Sequence, residues 1–80
     1  MGELFPGYQT VRGSDVRRDG MYLELIDIGT GDEVAEVFYS DVTQEMTVSL
    51  YKTDWPLEVI ELLIAKAKLE LPPSRPGEQK

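Results

Sequence analysis

The sequence predicts an α+β fold: a three-stranded antiparallel β-meander followed by one C-terminal helix packed on one face, in the order β-β-β-α. Three short runs rich in aliphatic, β-branched and aromatic residues lie at 21–28 (MYLELIDI), 34–39 (VAEVFY) and 45–51 (EMTVSLY). Turn-forming residues separate them. Beyond Asp54 the apolar period changes from two to helical spacing, and prolines bracket the new run at Pro56 and Pro72.

Each element has its own warrant. Residues 1–20 show no clear period and contain Pro6, Gly7, Gly13, Ser14 and Gly20, so they read as an irregular segment. Only residues 8–11 within it look like a short strand. The ordered domain is expected over 21–71. In the third run Met46, Val48 and Leu50 point one way and Glu45, Thr47, Ser49 and Tyr51 the other. In the second run Glu36 marks the outer face, which turns Ala35, Val37 and Tyr39 inward.

Inward residues must oppose inward residues. That parity sets Tyr39 against Met46, Val37 against Val48 and Ala35 against Leu50, with a tight turn within 40–45. In the first hairpin it sets Leu23 and Leu25 against Tyr39 and Val37. The connection there needs three or five residues, with Gly31 or Gly29 at positive φ and room for a bulge.

The helix is expected over about 56–71, with Leu57, Ile60, Leu63, Ile64, Ala67 and Leu71 at helical spacing. Pro56 suits a first turn, Asp54 is the best side chain for the cap, and Pro72 and Pro73 stop the helix. Residues 72–80 (PPSRPGEQK) read as a disordered, proline-rich tail. Leu25, Val37, Val48, Ile60, Leu63 and Ile64 are the expected core.

Composition narrows the chemistry. The chain has no cysteine and no histidine, which excludes disulfides, thiolate metal sites and His-based catalytic pairs within one chain. Fifteen acids face eight bases, for a net charge of −7. That balance repels nucleic-acid phosphates and attracts a basic protein. No run is long and apolar enough to span a membrane and no secretory signal is visible, so a cytoplasmic protein without nucleic-acid or membrane partners is expected.

No residue earns a catalytic, cofactor-binding or metal role. "DIGTGDE" (27–33) reads as hairpin chemistry. A phosphate cradle would need a third glycine and a following helix. Asp27, Asp32 and Glu33 are hard oxygen donors, but the EF-hand pattern is missing. Glu24 and Glu36 come out as diagonal neighbours on the outer sheet face, without the cleft that acid–base work requires. Arg12, Arg17 and Arg18 form the only basic cluster, too small for nucleic-acid binding.

The apolar surplus says more. Ile26, Val34, Phe38 and Tyr51 gather on the outer sheet face, and Val59, Leu62 and Leu69 widen the helix stripe. These seven are the candidate interface unless residues 1–20 fold back over them. The functional expectation is a small, acidic, non-catalytic protein-interaction module that forms a homodimer, through either the 45–51 edge or the outer patch. One rival is an inhibitor-type partner, an immunity protein or antitoxin that blocks a basic toxin. Another is an enzyme whose site is assembled at an oligomer interface.

Overall fold

The computed structural model describes residues 3–71; the tail expected over 72–80 lies outside the described residues. The chain forms β1 (Glu3–Phe5), β2 (Tyr8–Asp15), β3 (Gly20–Asp27), β4 (Glu33–Ser40), β5 (Met46–Leu50) and α1 (Leu57–Glu70). The strands make one antiparallel sheet in the order β1-β2-β3-β4-β5. The α+β class with an antiparallel sheet and one C-terminal helix therefore stands, but the sheet has five strands where the sequence predicts three.

The two extra strands come from the segment read as irregular. The short strand expected at 8–11 is the start of β2, which continues through Gly13 and Ser14 to Asp15. Gly13 is not a turn residue here. It lies opposite Tyr22, and a Cβ at that position would overlap the Tyr22 ring and hydroxyl. The glycine makes room for an aromatic ring on the sheet face, a role that the local sequence does not reveal. The segment extends the sheet in its own plane instead of folding back over the outer face.

The β4–β5 register is the one parity dictates, with Tyr39, Val37 and Ala35 opposite Met46, Val48 and Leu50. The β3–β4 register is two residues away from expectation: Leu23 opposes Val37 and Leu25 opposes Ala35. A shift of two leaves every side chain on its expected face. The five-residue connection 28–32 carries Gly31 at φ 81°. Asp27 organises it, its carboxylate accepting the N–H groups of Gly29 at 2.9 Å and Thr30 at 3.4 Å. The register then slips, so that Ile26 opposes Glu33. The extra residue, Val34, turns into the core and not onto the outer face, as a bulge does when it places two residues opposite one.

Leu23, Leu25, Val34, Ala35, Val37 and Tyr39 from the sheet form one buried cluster with Val59, Leu63, Ala67 and Leu71. The helix boundaries match expectation, but the cap does not. Pro56 occupies the N-cap with no side-chain hydrogen bond, and Asp54 sits two residues earlier at φ 60°, outside capping position. Val48 and Ile64, expected in the core, are 46% and 37% exposed, and Ile60 is only half buried. Val59, expected at the surface, is fully buried.

Geometry explains these reversals together. A helix is about 10 Å wide, whereas five strands span roughly 19 Å between outer axes. One helix cannot cover the whole sheet. With β1 and β2 added at the far side, α1 sits against β1 and β4 and leaves β5 beyond its reach. Its contact stripe rotates accordingly to Val59, Leu63 and Ala67, spaced four apart.

Burial separates leucines of the same helix. Leu63→Ala is expected to cost roughly 2–5 kcal/mol in urea unfolding. Leu69→Ala, on a residue 84% exposed, should stay within about 0.5 kcal/mol of wild type. Equal costs would overturn the placement of the helix.

Candidate interaction surface

The sheet has a helix-covered face and an open face, and the sequence-derived candidates divide between them. Val34 and Val59 are core residues and leave the candidate surface. Phe38 and Ile26 lie half-buried on the open face. Tyr51, Leu62 and Leu69 are exposed. These seven residues therefore do not form one patch.

The open face is organised by Arg18, which nothing in the local residue pattern singles out from its basic neighbours. The turn after β2 delivers it: the Asp15 carboxylate accepts the N–H groups of Arg17 at 3.0 Å and Arg18 at 3.2 Å. The Arg18 guanidinium donates to Asp15 at 2.6 Å and reaches both oxygens of Glu36, at 2.9 and 3.3 Å. It also stacks 4.0 Å above the Phe38 ring. These two carboxylates, Glu36 first, hold Arg18 firmly in its charged form. Glu36 is thereby buried and Phe38 covered, so the apolar patch expected here is closed over by charge. Arg12, by contrast, sits on the helix side, 3.8 Å from Glu70. The basic cluster of the sequence is thus split between two faces.

Glu24 and Glu36 are directly opposite, not diagonal. With Glu33 they bring carboxylate oxygens within 4.8 Å of one another. Oxygen-only donors of this kind suit a hard cation, but both Glu36 oxygens are already engaged by Arg18. Asp27 and Asp32, the other acids of that loop, belong to the turn: Asp27 accepts backbone N–H groups, and the Asp32 carbonyl accepts the Asp27 N–H at 2.9 Å.

A cavity of about 390 Å³ lies between β2 and α1, lined by Thr10, Arg12, Leu23, Lys66 and Glu70 among others. Lys66 donates to Glu70 at 2.8 Å and holds that carboxyl below its usual range, so the charges there compensate one another.

The other flank of α1 is different in character. A groove of about 200 Å³ separates α1 from β5, and its walls include Val37, Met46, Val48, Ile64, Ala67 and Lys68. Val48 and Leu50 on β5 are about half exposed, and Tyr51 follows them at 57%. At 100° per residue, Leu57 shares the Ile64 flank, whereas Leu62 and Leu69 lie on the opposite one. Among the described residues no strand pairs with the outer side of β5. Lys68 lines the groove, whereas Lys52, just past β5, is turned away from the edge: it donates to the Tyr8 hydroxyl at 3.2 Å and lies 4.5 Å from the Trp55 ring. Unpaired backbone and exposed apolar side chains thus adjoin along one flank. No helix among the described residues is long and apolar enough to cross a membrane.

The acid cluster makes a pH-dependent claim. Burial first, and repulsion from Glu36 second, lift the Glu24 carboxyl above its ordinary range; burial and then Glu24 do the same for Glu33. A carboxyl raised on folding favours the folded state while protonated. That contribution is complete below the unfolded pKa and is lost as pH rises through the folded pKa. Glu24→Gln should therefore melt above wild type at neutral pH, and the gap should close as pH falls into the ordinary carboxylate range. Melting curves between about pH 4 and 7.5 test this; a gap independent of pH would remove Glu24 ionisation as its cause. Comparisons of the chain with protein-family models, with curated proteins and with solved structures find no match in any of the three.

Proposed function

We propose that the protein is a small, acidic, non-catalytic interaction module that self-associates through the β5–α1 flank. One observation supports this above the rest: Val48, Leu50 and Ile64, at 46%, 48% and 37% exposure, adjoin an unpaired sheet edge. Exposed apolar surface beside open strand backbone is an association surface by its physics, since a partner can satisfy both the hydrogen-bonding row and the side chains. The absence of histidine and cysteine from the sequence is consistent with binding in place of chemistry. The acid surplus keeps the monomer soluble while the flank is free.

A second reading, an inhibitor-type partner of a basic protein, draws on the concentration of Glu24, Glu33 and Glu36 on the open face. It differs in the surface used. A basic partner held there would be released by Glu33→Lys, which should leave self-association intact.

Sedimentation velocity at micromolar concentration and moderate salt tests the first reading. Wild type is expected as a dimer. Ile64→Glu should sediment as a folded monomer, while Leu62→Glu, on the opposite flank of α1, should remain dimeric. A monomeric wild type, or a dimer broken by Leu62→Glu and not by Ile64→Glu, would overturn it.

A further inference from the structure

Resting on the self-association reading, we infer the partner and its register: a second copy of this chain adds antiparallel at β5 about a two-fold axis through Val48, giving a continuous ten-stranded sheet.

The backbone fixes which groups are available. The Tyr51 N–H donates to the Val34 carbonyl at 2.9 Å, and the Ser40 N–H donates to the Glu45 carbonyl at 3.0 Å. The odd-numbered residues at both ends of β5 therefore turn their backbone groups toward β4. Alternation along the strand turns the N–H and C=O groups of Met46, Val48 and Leu50 toward the free edge. In an antiparallel two-fold pair only matching faces can meet, so the axis must pass through a residue position and not between residues. An axis through Val48 pairs all five residues: Met46 with the partner's Leu50, Val48 with the partner's Val48, and Thr47 with the partner's Ser49. The first two are hydrogen-bonded pairs on the helix side, giving about six backbone hydrogen bonds. The third places hydroxyls against hydroxyls on the open face.

The side chains fit the same solution. Residues 46–50 carry no charge and no proline, although acids and bases are frequent elsewhere in the chain. Edge strands ordinarily defend themselves with lysine, proline or a bulge. Here the bulge is on β4, facing β3, and the Lys52 ammonium is turned back onto Tyr8 and Trp55. A five-residue ribbon alone is smaller than a stable interface, which buries roughly 1,200–2,000 Å². The remainder comes from side chains above the ribbon, because the partner's Met46, Val48 and Leu50 rise on the helix side beside the exposed Val48, Leu50 and Ile64. The groove that one protomer leaves open is closed by the partner's Met46, Val48 and Leu50. The open face offers no comparable site, since Arg18 covers Phe38 and β5 shows Thr47 and Ser49 there.

The cysteine-free sequence permits a clean test. Single variants Met46→Cys, Val48→Cys and Leu50→Cys are equilibrated in a glutathione redox buffer, so that only bridges favoured by geometry persist. Across the proposed axis the two Val48 Cα atoms are about 5.5 Å apart, within disulfide range. Two copies of Leu50, or of Met46, are about 13 Å apart and cannot bridge. Val48→Cys should therefore give a covalent dimer, the other two should not, and a mixture of Met46→Cys with Leu50→Cys should give the heterodimer. Val48→Pro adds an independent readout. It removes only an outward N–H, so the fold should persist by circular dichroism while the dimer dissociation constant rises roughly ten- to a hundredfold, two donors being lost per dimer. A wild-type dimer in which Val48→Cys bridges no better than its neighbours would overturn this register and leave self-association standing. A monomeric wild type would overturn both.

Discussion

A single helix has to cover a sheet nearly twice its width, and the rest of the molecule arranges itself around that shortfall. The 14 residues of α1 bury Val59, Leu63 and Ala67 against the centre of the sheet and can bury no more. Lateral to that line, Val48 and Leu50 on β5 and Ile64 and Leu62 on the helix shoulders are left partly covered, and Leu57 and Leu69 are mostly exposed. A small domain recovers too little apolar burial to leave such surface idle without consequence. The two flanks resolve the shortfall differently. Toward β2 the gap is lined by Arg12, Lys66 and Glu70, which water and ion pairing satisfy. Toward β5 the gap is lined mostly by carbon.

Among the described residues no second layer covers the other face of the sheet, and charge takes its place. Arg18 spreads over Phe38 and grips Glu36 and Asp15, so one guanidinium plane does for the open face a part of what a helix does for the other. This closure is electrostatically uneven. Glu24 and Glu33 crowd the same region, and burial first and repulsion between the carboxylates second make both resist ionisation. The open face is therefore held shut by an arrangement of like charges around one strong pair, and it is a poorer place for an apolar partner than its aromatic and aliphatic content suggests.

Much of this was legible in the sequence, and the failures have physical causes. Alternation located β3, β4 and β5 and fixed the β4–β5 pairing. Parity required a five-residue or three-residue connection before β4, which residues 28–32 supply, while the bulge at Val34 shifts the pairing next to that connection by one. The helix ends followed from Pro56 at the start and from Pro72 and Pro73 at the finish. What remained hidden were features decided by distant partners. Gly13 looks like a turn residue until Tyr22 is placed across from it. Val48 alternates as a core residue should, and whether the core reaches it depends on how many strands precede β3. Of the seven candidate interface residues, Val34 and Val59 were absorbed by the core, whereas Val48 and Ile64, expected in the core, were left exposed. Arg18 was invisible as an organiser because its partners lie eighteen residues away at Glu36 as well as next to it at Asp15.

The meander order has a kinetic side. Every strand pairs only with its neighbours in the chain, so each loop that closes is short and each hairpin can form as soon as it exists. The helix is different: α1 follows β5, and it packs against residues as far back as β1. On a growing chain emerging at roughly 5–20 residues per second, the sheet is complete before the helix that covers it has been made. During that interval the hydrophobic face of all five strands is bare and the β5 edge is unguarded. A nascent sheet of this kind is at its most adhesive immediately before α1 docks, so crowding of many such chains at one site of synthesis favours contact between incomplete copies over orderly completion of each.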